Sequence, residues 1–151
     1  MKVTAKADYA VRAVLELAAA DGALVKADRI AEAQAIPRHF LDNILTDLRR
    51  AGIVATQRGA EGGSRLARPA EEITLADVMR AMEGPLAAVR DVRPELLEYK
   101  GAAESLPEVW LAVRAALRNV LERVTVADVV SGKLPKSIAK LLDDPEAWKP
   151  H

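Results

Sequence analysis

Gln34-Ala-Ile-Pro-Arg-His-Phe-Leu-Asp-Asn-Ile-Leu-Thr-Asp-Leu-Arg-Arg-Ala-Gly-Ile-Val-Ala-Thr-Gln-Arg-Gly-Ala-Glu-Gly-Gly-Ser-Arg-Leu66 decides the fold, because it reads without interruption as a turn, an amphipathic helix and a glycine-rich hairpin. Pro37 suits a first helical turn, where its missing N–H is not needed. Phe40, Leu41, Ile44, Leu45 and Leu48 then recur at helical spacing and predict one buried face. The leading turn and opposite face carry Arg38, His39, Asp42, Asn43 and Thr46. These short or planar polar groups can hydrogen-bond base edges in a major groove, and they equally suit an ordinary solvated face.

Before this helix, residues 28–33 place Ile30 and Ala31 inward and Asp28, Arg29 and Glu32 outward. Residues 34–36 leave room only for a tight connection, so two helices meet in a helix-turn-helix arrangement, with the small Ala31 permitting close approach. After it, Gly52 predicts a helix stop and residues 53–57 have the β-branched content of a short strand. Gly59, Gly62 and Gly63 allow positive φ in a reversal, and residues 64–67 can return as a second strand. The result is a hairpin wing. Arg58 and Arg65 flank its tip, chemically suited to phosphates or to the negative potential of a narrow minor groove. No lysine followed by Ser or Thr ends the loop, which argues against a nucleotide-binding P-loop.

At these residues the sequence resembles the Rrf2 family of bacterial winged-helix transcription regulators. The resemblance covers most of the chain, from Met1-Lys-Val-Thr-Ala-Lys-Ala-Asp-Tyr-Ala through Ile30-Ala-Glu, Phe40-Leu-Asp-Asn-Ile-Leu-Thr-Asp-Leu-Arg-Arg-Ala-Gly-Ile-Val54 and the wing Arg58-Gly-Ala-Glu-Gly-Gly63. It continues in Leu66-Ala-Arg-Pro69, Ile73-Thr-Leu-Ala-Asp-Val78 and Met82-Glu-Gly-Pro85. It implies a homodimer on a roughly palindromic operator, with His39, Asp42 and Asn43 as base readers, Arg58 in a minor groove and Tyr9 as a backbone contact. The chain departs from the family pattern twice. Ser64 stands where family wings usually have tyrosine, and the cysteines with which many members hold an iron–sulfur centre are missing, since the chain has no cysteine at all. Such clusters need mainly thiolate ligands, so neither this cofactor nor any metal is expected, and thiol switching and disulfides are excluded. Asp8, where some relatives have a carboxylate ligand, is expected to be a helix-start or surface charge.

At 151 residues with half of them hydrophobic, the chain can bury a core beside a dimerisation element. No apolar run is long enough to span a bilayer, and the charged N-terminus lacks a secretory signal, so cytoplasmic residence without membrane contact is expected. Formal net charge is zero. Residues 1–69 nevertheless hold 11 Lys and Arg against 8 Asp and Glu, a balance of +3 that leaves −3 elsewhere. This modest asymmetry permits a basic face and requires specific contacts.

Thr74-Leu-Ala-Asp77 can cap a helix that Gly84-Pro85 ends, and the pattern returns as Thr125-Val-Ala-Asp128 without further repetition, so these are two similar caps rather than a duplicated domain. Ser105-Leu-Pro-Glu108 reads as another capping box. From it Leu106, Trp110, Val113, Leu117, Val120 and Val124 form an apolar seam predicting a helix of about five turns. Arg114, Arg118 and Glu122 lie on another face, expected to be solvated. The seam can pack within its own chain, but the resemblance favours the partner of a homodimer. Between these elements, Arg90, Arg93 and Lys100 can clamp an anionic effector, with Tyr99 and Trp110 as an aromatic wall. Alternatively Arg90, Asp91, Arg93, Glu95 and Glu98 pair with one another. Near the end, Ile138, Leu141, Leu142 and Trp148 suggest a short helix whose tail packs Trp148 onto the body or a partner chain.

An enzyme is not expected, since His39 and His151 are the only histidines and no nucleophile–base pair can be assembled. The expectation is thus a mainly α protein: a winged helix-turn-helix unit at 1–85, a connector with a possible effector site at 86–104, and a long dimerisation helix with a tail at 105–151. Its expected partners are double-stranded DNA, a second copy of itself, and a small-molecule or protein effector. Its expected function is sequence-specific regulation, chiefly repression. The alternative is a protein-interaction module that keeps the fold but acts through an enzyme or another regulator.

Overall fold

A computed structural model describes residues 2–150, so His151 lies outside the described residues. Helix α1 (Ala5–Ala19) starts where the Thr4 hydroxyl accepts the Ala7 N–H, a side-chain N-cap. Ala7, Ala10, Ala13, Val14 and Leu17 are fully buried along one stripe, and three small residues among them let other elements approach closely. Helices α2 (Ala27–Gln34) and α3 (Arg38–Arg50) follow, then strands β1 (Val54–Gln57) and β2 (Gly63–Leu66). Helices α4 (Leu75–Glu83), α5 (Leu106–Leu121), α6 (Val126–Ser131) and α7 (Lys136–Ala139) complete a mainly helical fold with one two-stranded antiparallel sheet. Helix α1 is its axis and packs against α2, α3, α4, α6 and β2. The core it organises includes Ile30, Leu41, Ile44, Leu48, Ile53, Ile73, Val78 and Val126. No helix among the described residues is long and apolar enough to cross a membrane.

The α2–α3 connection is the expected tight turn, made by Ala35 in the left-handed region at φ +51° while the Ile36 N–H donates to the Ala31 carbonyl at 2.9 Å. Left-handed backbone is costly with a Cβ. Ala35→Gly should therefore stabilise the protein by about 0.5–1 kcal/mol, raising Tm in thermal denaturation by roughly 1–4 °C. An unchanged or lower Tm would show that this turn is unstrained. Pro37 sits one place earlier than expected, as the residue before α3, because its ψ of 129° is extended rather than helical. Phe40 also departs from expectation: it is 50% exposed, since it lies about a quarter-turn from the centre of the stripe formed by Leu41, Ile44, Leu45 and Leu48.

In the wing, Val54 pairs with Leu66 and Gln57 with Gly63. Only Gly59 among the three wing glycines has positive φ, at +107°. The other two are needed for room: a Cβ on Gly62 would stand 2.1 Å from the Gln57 carbonyl oxygen, and one on Gly63 would stand 2.7 Å from that of Val25. Val25 is close because it exchanges two backbone hydrogen bonds with Ser64, each 2.8 Å, extending the hairpin by a third short segment. Ser64 is buried, its hydroxyl 3.4 Å from that of Thr56.

Both threonine caps form. Thr74 and Thr125 each accept the N–H of the aspartate three residues on, and each aspartate accepts the threonine N–H in return. Their recurrence has a structural reason, since Thr74 and Thr125 face each other in an antiparallel bridge. The Leu75 N–H donates to the Val124 carbonyl at 2.9 Å and the Val126 N–H to the Ile73 carbonyl at 2.8 Å. Two expectations are thereby corrected. The helix at residues 126–131 packs onto α1 and its Val126 joins the core of the N-terminal unit, so residues 105–151 do not stand apart as one piece. Val124 is only 4% exposed within its own chain and is not available to a partner.

The Ser105 capping box does not form, because Ser105 is helical at φ −85°, ψ −1°, whereas a cap residue must be extended. A preceding 3-10 turn at Gly101–Ala103 runs almost directly into α5. At the other end, Trp148 is 70% exposed and donates its indole N–H to the Leu142 carbonyl at 2.8 Å, folding over its own segment rather than onto the body.

Candidate nucleic-acid interface

The outer face of α3 carries a chain of polar contacts. Arg38 donates from Nε to Asp28 at 2.7 Å and also pairs with Asp42 one turn along the helix. These carboxylates, Asp42 first and then Asp28, hold the Arg38 guanidinium above its ordinary pKa. Asp42, expected as a free acceptor for bases, is thus engaged by its own helix. The Thr46 hydroxyl donates to the Asp42 carbonyl at 2.9 Å. The Asn43 amide lies 3.5 Å from the His39 carbonyl, the outer edge of hydrogen-bonding range, so it is free to turn outward. His39 rests against Phe40 with ring centres 4.4 Å apart, and Phe40 is 6.3 Å from Tyr9. Tyr9 lies beneath Arg12, whose guanidinium is 4.9 Å from the ring centre and donates to the Gln34 carbonyl at 2.6 Å. This stack ties α1 to the start of α3.

A recess of about 250 Å³ separates α3 from the wing, lined by Arg38, Asp42, Thr46 and Arg49 on one side and Thr56 and Ser64 on the other. Asp42, Thr46 and Arg49 fall at i, i+4 and i+7, a spacing that would have revealed Arg49 had the seam been followed past Thr46. Arg58 and Arg65 are exposed and, unlike Arg38, form no ion pair among the described residues.

Helix α5 has no fully buried residue in the single chain. Leu106, Trp110, Val113, Leu117 and Val120 are half-buried, with the helix packed on a 3-10 turn at Pro94–Leu96 and on α4. Beside them lies an exposed strip that the sequence reading passed over: Val109, 51% exposed, with Ala112 and Ala116. The expected solvated face is not fully solvated. Arg114 is 19% exposed and bonded to Glu95 at 2.5 Å, while Arg80 and Arg118 share Glu122, the latter at 3.3 Å. The Glu95 carboxyl is held below the usual range by its own backbone N–H first and then by Arg114. Of the expected effector residues, Arg93 lines a cleft with Arg80, Arg114 and Arg118, and Arg90, Tyr99 and Lys100 lie outside its lining. Arg90 and Asp91 occupy positive-φ positions of a reversal in which Val89 and Val92 exchange backbone hydrogen bonds of 2.9 and 3.0 Å. The mutual pairing expected among Arg90, Asp91, Arg93, Glu95 and Glu98 is not formed among the described residues, because Glu95 reaches α5 instead.

Comparison with known proteins adds a consistent picture. Residues 3–132 match the family model Rrf2, described as an iron-dependent transcriptional regulator. The chain is 52% identical over 145 residues to a Mycobacterium tuberculosis H37Rv protein named for an HTH-type transcriptional regulator, covering 95% of this chain and 90% of that one. It is 33% identical to the HTH-type transcriptional regulator CymR of Bacillus subtilis over 87% of this chain and 91% of the relative. Among solved structures it is similar to CymR of B. subtilis, the global cysteine regulator, with TM-score 0.72, 32% identity and coverage of 87% of this chain and 97% of that one. It is also similar to IscR of T. potens, with TM-score 0.67, 30% identity and coverage of 100% and 93%. The donor set here does not fit the iron of the family description. There is no cysteine, no three His, Asp or Glu side chains gather among the described residues, and Asp8 is paired with Arg12 at 2.8 Å.

Proposed function

Because the chain belongs to the Rrf2 family of transcriptional regulators, we propose that it is a sequence-specific DNA-binding repressor that grips a palindromic operator as a homodimer, without an iron–sulfur cluster. The observation that carries this reading is the placement of Arg38, Asp42, Thr46 and Arg49 along one outer edge of α3, across a recess from a wing whose Arg58 and Arg65 form no ion pair among the described residues. Helix α3 enters the major groove. Arg38, steered by Asp42, presents its fork to a guanine edge, and Asn43 and His39 read neighbouring bases. Arg58 and Arg65 reach the minor groove and phosphates on the flank, and Tyr9 meets the backbone.

Two copies join through α5, whose exposed Val109, Ala112 and Ala116 border the half-buried Val113 and Val120. Two-fold symmetry then spaces the α3 helices by about one DNA turn, roughly 34–36 Å, and so requires a palindrome. The deciding experiment selects duplexes from a random pool with the purified protein and titrates the enriched sequence at several salt concentrations. A palindrome with affinity falling as salt rises supports the reading. No enrichment by the folded protein at low salt would overturn it and favour a protein-interaction module.

Arg58→Ala should weaken operator binding by about 1–3 kcal/mol and remove about one unit of salt slope. Asp42→Ala and Asn43→Ala should change which bases are preferred more than the total affinity. Equal losses on all sequences in the same selection would show that neither Asn43 nor the Arg38 that Asp42 steers reads bases.

A further inference from the structure

We propose that the cleft between the C-terminal end of α4 and α5 binds a small molecule bearing a phosphate- or sulfate-type oxyanion, held by Arg80, Arg93, Arg114 and Arg118. The cleft has a volume of about 640 Å³. Four guanidinium groups from three separate segments line it, against only two carboxylates, Glu95 within the lining and Glu122 bonded to Arg80 and Arg118. The local balance is therefore 4 − 2 = +2. Both carboxylates are already engaged, and Arg93 forms no ion pair among the described residues.

The ligand class follows from this arrangement. Arginine forks match oxyanions, and forks arriving from several directions suit a tetrahedral group, whose acceptors point several ways, better than a carboxylate, whose acceptors lie in one plane. The volume far exceeds one oxyanion, and Gly84, Pro85 and the nearly buried Leu86 supply an apolar floor for the remainder of the molecule. Arg114 is fixed by Glu95 and acts as the rigid wall. Arg93, without an ion pair among the described residues, turns to the ligand, and Arg118, about half exposed and 3.3 Å from a Glu122 that Arg80 also engages, can follow it. The cleft joins the DNA-binding unit to α5, so an occupant that prefers one angle between them would shift operator affinity, a regulatory use that rests on the function proposed above.

The site is tested on the full chain without DNA, using sodium phosphate, sulfate or malonate against sodium chloride at equal ionic strength, followed by thermal denaturation and titration calorimetry. Phosphate or sulfate should raise Tm by roughly 4–5 °C at tenfold above its dissociation constant. Arg93→Gln and Arg118→Gln should each lose at least half of that shift while keeping the probe-free Tm, and Arg58→Ala should keep all of it. An equal effect of chloride, persistence in both cleft variants, or equal loss in Arg58→Ala would overturn the site, and a stronger effect of malonate would overturn the ligand class. With the selected operator, phosphate should shift affinity for wild type but not for Arg93→Gln. Binding of the anion with no such shift would overturn the regulatory use, whereas absence of any DNA binding would overturn only the function proposed above.

Discussion

Gly62→Ala is expected to lower operator affinity by 100-fold or more, about 3 kcal/mol, while circular dichroism shows unchanged helical content. The new methyl would stand 2.1 Å from the Gln57 carbonyl oxygen and 2.8 Å from the Arg58 carbonyl carbon, both main-chain atoms that no side-chain rotation can move aside. The end of β1 must therefore separate from the start of β2, and Arg58, which follows Gln57 directly, is carried away from its position. Helix α3 is spared because Leu41, Ile44 and Leu48 anchor it in a core that does not involve the wing tip. Gly59→Ala is the internal comparison. Nothing lies within 4 Å of its added Cβ, so it bears only the strain of φ +107°, about 1–2 kcal/mol of local stability. Operator binding by Gly62→Ala at wild-type strength would remove the wing from the DNA contact.

The second large effect is expected at α5. Val109→Glu combined with Ala116→Glu should convert the proposed dimer to a monomer in sedimentation at micromolar concentration, with operator affinity falling by at least 100-fold. In a two-fold interface each substitution occurs twice, and each buried unpaired carboxylate costs several kcal/mol. Both positions are exposed in the single chain, so the monomer itself should fold with its Tm nearly unchanged. A dimer that survives both charges would place the interface elsewhere.

What could be read from the sequence was local in origin. The α3 stripe, the Gly52 stop, the hairpin and the caps at Thr74 and Thr125 each depend on residues within a few positions, and each is where its spacing puts it. Local reading failed at Pro37, Phe40 and Ser105, where ψ, the edge of the stripe and a helical cap residue departed from the pattern, and the remaining misplacements concern partners distant in the chain. Val25 meets Ser64 across almost forty residues, and nothing in the composition of either announces it. Gly62 and Gly63 read as positive-φ residues because clearance around a backbone is invisible without the third segment. Arg114 looked solvated because its carboxylate, Glu95, lies in a connector of no regular pattern. At the candidate site, the sequence showed that polar side chains share the outer face of α3 and the wing, but neither the place of Arg49 beside Thr46 nor the commitment of Arg38 to Asp28 and Asp42.

The bridge between Thr74 and Thr125 changes how α5 can move. It fastens the chain just before α4 to the chain just after α5, so residues 75–124 form a closed stirrup whose two feet stand together on the core around α1. A helix tethered at one end swings like a door, whereas this one is also held beyond its C-terminal end by backbone hydrogen bonds, so any change in its tilt pivots there. A change in its tilt, set in the proposed dimer by a second subunit or by a molecule in the proposed arginine cleft, passes to both feet. In the proposed dimer, a change in the tilt of α5 is therefore delivered to the winged unit at these two feet, beside α1.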